Sequence, residues 1–134
     1  MIERYFHTED GYNPFLIREG WQVAQLNYVA KHGLDDIDDV EMHALTDEVF
    51  ILMRGRAALI TASFEGNEPT FEVENMRVGV TYNIPAGVWH NIAMDKDAQI
   101  IIVERNNTHL EDVAHKTLTD EQLQRVYAQI NAAL

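Results

Sequence analysis

The chain has 134 residues, a hydrophobic fraction of 46%, no cysteine and a formal net charge of −12. This length gives one domain, residues 1–134, with a single core, and the lack of cysteine excludes disulfides and thiolate ligands. The charge argues against nucleic acid and anionic membrane surfaces, which need clustered Lys and Arg, and no apolar run approaches the roughly 18 residues of a membrane span.

The first ten residues, MIERYFHTED, are charged and polar where a secretory signal needs an apolar core. The chain is therefore expected to stay in the cytoplasm. Trp21 to Ala30 carries aromatic and β-branched residues in loose alternation, as a half-buried strand does. The acidic run Asp35-Asp36-Ile37-Asp38-Asp39-Val40-Glu41 reads as a solvated loop, with Glu41 set apart for the reason given below. Short apolar strands follow at Val49–Met53 and Ala57–Phe64, joined by a hairpin turn at Arg54-Gly55-Arg56. After a turn over residues 65–69 come strands at Thr70–Val73, Val80–Ile84, His90–Met94 and Gln99–Glu104, the last two separated by Asp95-Lys96-Asp97. Short strands with turn signals about every 8–12 residues predict an all-β barrel or sandwich.

The ending differs in kind. Thr119-Asp120-Glu121-Gln122 has the capping-box pattern, and Leu123, Val126, Tyr127 and Ile130 fall on one helical face. An amphipathic α-helix over about residues 119–133 is expected, packed on the barrel or on a second subunit.

Two stretches carry the chemistry. In Glu41 to Gly55, EMHALTDEVFILMRG, His43 is followed five positions later by Glu48, and Glu48 seven later by Gly55. In the second, Gly79 precedes the turn Pro85-Ala86-Gly87, and His90 follows it. In these paired motifs the sequence resembles the cupin family. Its first motif is H-x-H, a glutamate and a glycine; its second is a glycine, P-x-G and a histidine. His43, Glu48 and Gly55 match the first, and Gly79, Pro85, Gly87 and His90 match the second. Two positions depart: Glu41 replaces the first histidine of the pair, and Met94 stands where the family has asparagine.

The resemblance implies a double-stranded β-helix, a jelly-roll barrel spanning about residues 20–105, with a site in its mouth. Residues two apart on a strand point the same way, so Glu41 and His43 would face inward together, with Glu48 and His90 entering from other strands. Such a set can hold a divalent ion with positions left open for a substrate. With Glu41 included, the oxygen-rich ligation favours manganese, iron or zinc over copper. With Glu41 turned to solvent, a two-histidine-one-carboxylate set remains. With no metal, His43, Glu48 and His90 form a hydrogen-bonded polar cluster.

Parity with Glu48 puts Phe50 and Leu52 on the pocket floor, and parity with His90 adds Ile92 and Met94. Tyr28 and Tyr82 are open to either side. Trp89 should face away from the cavity. His7, His32, His109 and His115 read as surface residues. Two functions follow. One is a metal-dependent enzyme acting on a small polar metabolite, by isomerase-, dioxygenase- or lyase-like chemistry, with Glu41 or Glu48 as general base. The other is a non-catalytic ligand-binding or sensory module without metal. Either is expected to be a homodimer.

Overall fold

The computed structural model describes all 134 residues. Ten strands lie in chain order: β1 (Gly11–Arg18), β2 (Trp21–Asn27), β3 (Asp39–Met42), β4 (Glu48–Arg54), β5 (Ala57–Glu65), β6 (Glu68–Asn75), β7 (Thr81–Ile84), β8 (Trp89–Met94), β9 (Gln99–Glu104) and β10 (Ala114–Thr117). Two helices complete the chain, α1 (Thr108–Glu111) and α2 (Asp120–Ala133), and a 3-10 turn spans Ala30–His32. The strands form two five-stranded antiparallel sheets, ordered β1-β2-β9-β4-β7 and β10-β3-β8-β5-β6. Their facing sides enclose a core of Leu26, Phe50, Leu52, Leu59, Ile92, Met94, Ile100 and Ile102. This is the β-barrel of two facing sheets expected from the motifs.

Strand alternation fixes which residues face inward. Across the first sheet, Gln22, Glu104 and Glu48 are ladder neighbours, and Ala24, Ile102 and Phe50 form the next inward row. Below them lie Leu26, Ile100 and Leu52. Across the second sheet, His115, Glu41 and His90 are neighbours, with Ile92 and Leu59 deeper. Each sheet thus ends in a polar row above apolar ones. The two polar rows make the mouth of the barrel.

The helix α2 covers the outside of the second sheet. Its capping box is complete, with Thr119 Oγ1 accepting from Gln122 N–H and the Gln122 side chain accepting from Thr119 N–H. Val126 and Ile130 are fully buried against Val40, Ala58, Ile60, Phe71 and Ala93. The stripe predicted from sequence therefore packs on its own barrel. Trp89 joins this outer layer, edge-on to Phe64, and faces away from the cavity.

The acidic run is only partly a loop. Asp39–Met42 is strand β3, and Ile37 and Val40 are fully buried in the outer layer. The apolar residues interleaved with the carboxylates anchor the segment. The turn at Arg54-Gly55-Arg56 does not close a hairpin: it carries the chain across the barrel, from β4 in the first sheet to β5 in the second, and the two strands do not pair. Sequence reading also missed β1 and β10. The first is an edge strand whose register shifts between Asn13 and Leu16, around Pro14, and the second is a four-residue polar strand. No helix is long and apolar enough to cross a membrane.

Candidate metal centre

His43 follows directly on β3, Glu48 opens β4, and His90 is the second residue of β8. The motif turn holds these segments together. Gly87 N–H donates to the His43 carbonyl at 2.8 Å, and Ala86 N–H to Asp47 Oδ1 at 2.9 Å. Gly87 has φ +83°, left-handed backbone that glycine adopts without a Cβ penalty. The Pro85-Ala86-Gly87 turn is thus tied to the segment that carries His43 and Glu48. It delivers His90 to them.

Glu48 Oε1 lies 2.8 Å from His90 Nε2 and 3.2 Å from His43 Nε2. Glu41 Oε1 lies 3.8 Å from both of those nitrogens. One donor atom from each of Glu41, His43, Glu48 and His90 lies within 4.8 Å of the other three. The side chains of His43, Glu48 and His90 are almost wholly buried, while that of Glu41 is 36% exposed and closes the cluster on the solvent side.

Both imidazoles are oriented from behind. His43 Nδ1–H donates to the Asp112 carbonyl at 2.6 Å, and His90 Nδ1–H to the Val88 carbonyl at 2.9 Å. Asp112 is itself fixed, its carboxylate accepting from Ala44 N–H and Leu45 N–H. With each Nδ1 so occupied, each Nε2 turns to the cluster, as in histidine metal sites whose outer partners fix the tautomer.

The charges are strongly coupled. Burial alone lowers the His43 imidazole, but the hydrogen bond to Glu48, the Asp112 carbonyl and nearby carboxylates outweigh it and hold it up at about 9. His90 is raised too: burial opposes, and Glu48 prevails. Burial pushes Glu48 up, yet hydrogen bonds and charge from both imidazoles bring it down to about 2. Glu41 is raised by burial and by the charge of Glu48. The result is a carboxylate held between two imidazoles. Two imidazole nitrogens and two carboxylates within reach of one point are a donor set that fits a divalent cation.

The cavity beside the cluster measures about 500 Å³. Phe50 and Ile92 line it as parity predicts, with the Phe50 ring edge-on to His90 at 6.0 Å. Leu52 and Met94 do not. They lie a further row down, 1% and 0% exposed, and fill the core beneath the cavity. Tyr28 and Tyr82 pack against the core, and Tyr82 accepts from Arg77 N–H.

Sequence reading missed several lining residues. His32, His109 and His115 all line the cavity; the first two are half-buried, and His115, although exposed, pairs with Asp39 at 2.9 Å. Tyr12, from the unpredicted β1, donates to Glu104 Oε1 at 3.0 Å. Glu104 is buried and lies beside Glu48 in the ladder. Burial and the charge of Glu48 raise its carboxyl to about 8. A signal for it was present: Glu104 is in phase with the inward-facing Ile100 and Ile102.

No family model matches the sequence, and no curated protein is significantly similar to it. Solved structures are. A cupin-2 domain protein from Shewanella frigidimarina is 24% identical over 75% of this chain and 85% of its own, with TM-score 0.51. The Streptomyces protein PAC13, solved with uridine, is 10% identical over 90% of this chain and 96% of its own, with TM-score 0.58. The capsular polysaccharide assembling protein CapF from Staphylococcus aureus is 16% identical over 84% of this chain and 31% of its own, with TM-score 0.54. These likenesses establish a cupin fold.

Proposed function

We propose that the barrel mouth binds one divalent metal ion through His43, Glu48 and His90, with Glu41 completing the set, and that the protein acts there on a small polar metabolite. The observation that carries this reading is the convergence of four donor atoms within 4.8 Å, two of them on imidazoles whose outer nitrogens are already engaged. Manganese, iron or zinc suits two imidazoles and two carboxylates. Such an ion supplies Lewis acidity toward an oxygen of the bound molecule.

The chain's own residues divide the remaining work. Phe50, Ile92, Ile102 and Leu26 provide an apolar floor that holds the body of the molecule and keeps water from the cluster. Glu48 already accepts from both rings, so Glu41, half-buried and facing the cavity, is the carboxylate assigned to take up a proton in a state where it is released from the ion. A neighbour of the same fold holding uridine supports a small-molecule ligand for this cavity.

A second reading rests on the cluster's own closure. Glu48 satisfies both imidazoles without any ion, which suits a metal-free binding module. Elemental analysis of untagged protein, with melting curves in added Mn²⁺, Fe²⁺ or Zn²⁺, separates the two. Near-stoichiometric metal and a raised melting temperature are expected. Absence of both, with ligand binding retained, establishes the metal-free module.

We also assign a homodimer. The outer face of the first sheet carries Val23, Val49, Val103, Ile51 and Ile101 in adjacent rows, bordered by Trp21, and no helix covers it. Pairing of this apolar face with its own copy about a two-fold axis would bury it.

A further inference from the structure

The cavity has a second polar group beside the metal cluster, and its hydrogen bonds run in one direction to a single free end. The Gln22 side-chain carbonyl accepts from Asn107 N–H at 2.9 Å, which points the Gln22 amide nitrogen inward. That nitrogen donates to Tyr12 Oη at 2.9 Å and to Glu104 Oε1 at 3.3 Å. Tyr12 Oη–H then donates to the same Glu104 Oε1 at 3.0 Å. One carboxyl oxygen thus receives two hydrogen bonds. The other, Oε2, receives none, although the Glu104 side chain is only 2% exposed.

A buried carboxyl oxygen without a partner is costly. No neighbouring side chain donates a hydrogen bond to it. Glu48, its ladder neighbour, is an acceptor already shared by two imidazoles, and His43 Nε2 stands 3.9 Å away. Glu104, Tyr12 and His109 line the cavity above the apolar floor of Phe50 and Ile102. Glu104 thus lines a cavity of about 500 Å³, with its free oxygen at the buried edge of the metal cluster.

We infer that Glu104 is the ligand-recognising residue of this cavity. Its Oε2 exchanges a hydrogen bond with a hydroxyl of a metabolite bearing hydroxyls on adjacent carbons, the neighbouring oxygen facing His43, Glu48 and His90. A hydroxyl suits the free oxygen because it can donate or accept. Adjacent hydroxyls are required because the free oxygen stands only 3.9 Å from His43 Nε2 of the cluster. Tyr12 acts through Glu104 as a positioning residue.

This inference rests on the metal reading above, and the test separates them. The probes are Mn²⁺ alone, then cis-1,2-cyclohexanediol and cyclohexanol, whose proton signals broaden when they bind near protein-held Mn²⁺. Wild-type protein is expected to take up Mn²⁺ and to favour the diol over the mono-alcohol by about fivefold or more, the value of one hydrogen bond. Glu104→Leu should take up Mn²⁺ and lose the preference. Glu104→Gln, which keeps a donor and an acceptor, should retain part of it and serves if the leucine variant does not fold. Tyr12→Phe should weaken it without changing Mn²⁺ uptake. Wild-type protein that holds Mn²⁺ but binds both alcohols alike overturns this inference alone. So does a leucine or glutamine variant that loses Mn²⁺ itself, since Glu104 would then be a ligand of the ion. Wild-type protein that takes up no Mn²⁺ defeats the metal reading and this one with it.

Discussion

His90 Nε2 lies 2.8 Å from Glu48 Oε1, while Nδ1 of the same ring is held 2.9 Å from the Val88 carbonyl. The imidazole is gripped at both ends. His90→Ala should therefore act on stability and metal together. It leaves Glu48 buried with one imidazole partner instead of two, a loss on the order of 3 kcal/mol in denaturant unfolding. Metal content should fall to background. His90→Gln, which offers Glu48 a neutral donor, should recover part of the stability and none of the metal.

The pH dependence follows from the signs of the shifts. His43 is raised from 6.5 to about 9, so in metal-free protein its contribution is full below 6.5 and is lost as pH rises through 9. Glu48 is lowered from 4.5 to about 2, so its contribution is full above 4.5 and is lost as pH falls through 2. Glu104 is raised from 4.5 to about 8, which favours the fold at low pH and withdraws that support by pH 8. Metal-free protein should therefore be most stable near pH 4.5 and lose stability as pH rises toward 9, as melting scans across pH would show. Metal must displace the imidazole protons, so its affinity should rise from pH 6.5 to 9, and calorimetry in buffers of different ionisation enthalpy should register proton release.

Glu41 is the cluster's exposed member, and its loss should be milder than that of either histidine. Glu41→Gln keeps the shape and removes one carboxylate from the donor set. Metal affinity, measured by competition with a chelator, should fall by about tenfold or more while the melting temperature of metal-free protein stays close to wild type.

Gly55 turns the chain from β4 in one sheet to β5 in the other at φ +78°, and a Cβ there would come within 2.5 Å of the Ala98 backbone. The strain has no flexible side chain to absorb it. Gly55→Ala should cost about 2 kcal/mol or more in equilibrium unfolding. Gly66→Ala, at φ +63° with open space around it, should cost less.

The open sheet face gives a prediction about assembly. Ile51 sits among Val49, Val103 and Ile101 on the outer side of the first sheet. Ile51→Glu should shift sedimentation from dimer to monomer without disturbing metal uptake, since the cluster lies on the opposite side of the sheet.

Much of this was readable in advance because the motif residues combine special backbone needs with fixed spacing. Gly87 and Pro85 mark a turn, and the turn fixes where His90 goes. Phe50 and Ile92 followed from parity alone. Parity does not give depth, which is why Leu52 and Met94, in phase with the pocket, proved to be core a row below it. Glu104 was hidden differently. At the end of a run of isoleucines it looks like the charge that terminates a strand, and only the ladder places it beside Glu48 and Gln22. Strands β1 and β10 carried too little hydrophobic contrast to be recognised, so Tyr12 and the setting of His115 went with them.

Strand β8 has hydrophobic layers on both sides: Ile92 and Met94 face the barrel interior, and Trp89 and Ala93 face the layer that Val126 and Ile130 of α2 complete. The C-terminal helix is in this sense a backing plate for the strand that presents His90. Loosening it removes the support behind that strand, so damage to the last turns of the chain should weaken metal uptake as well as stability.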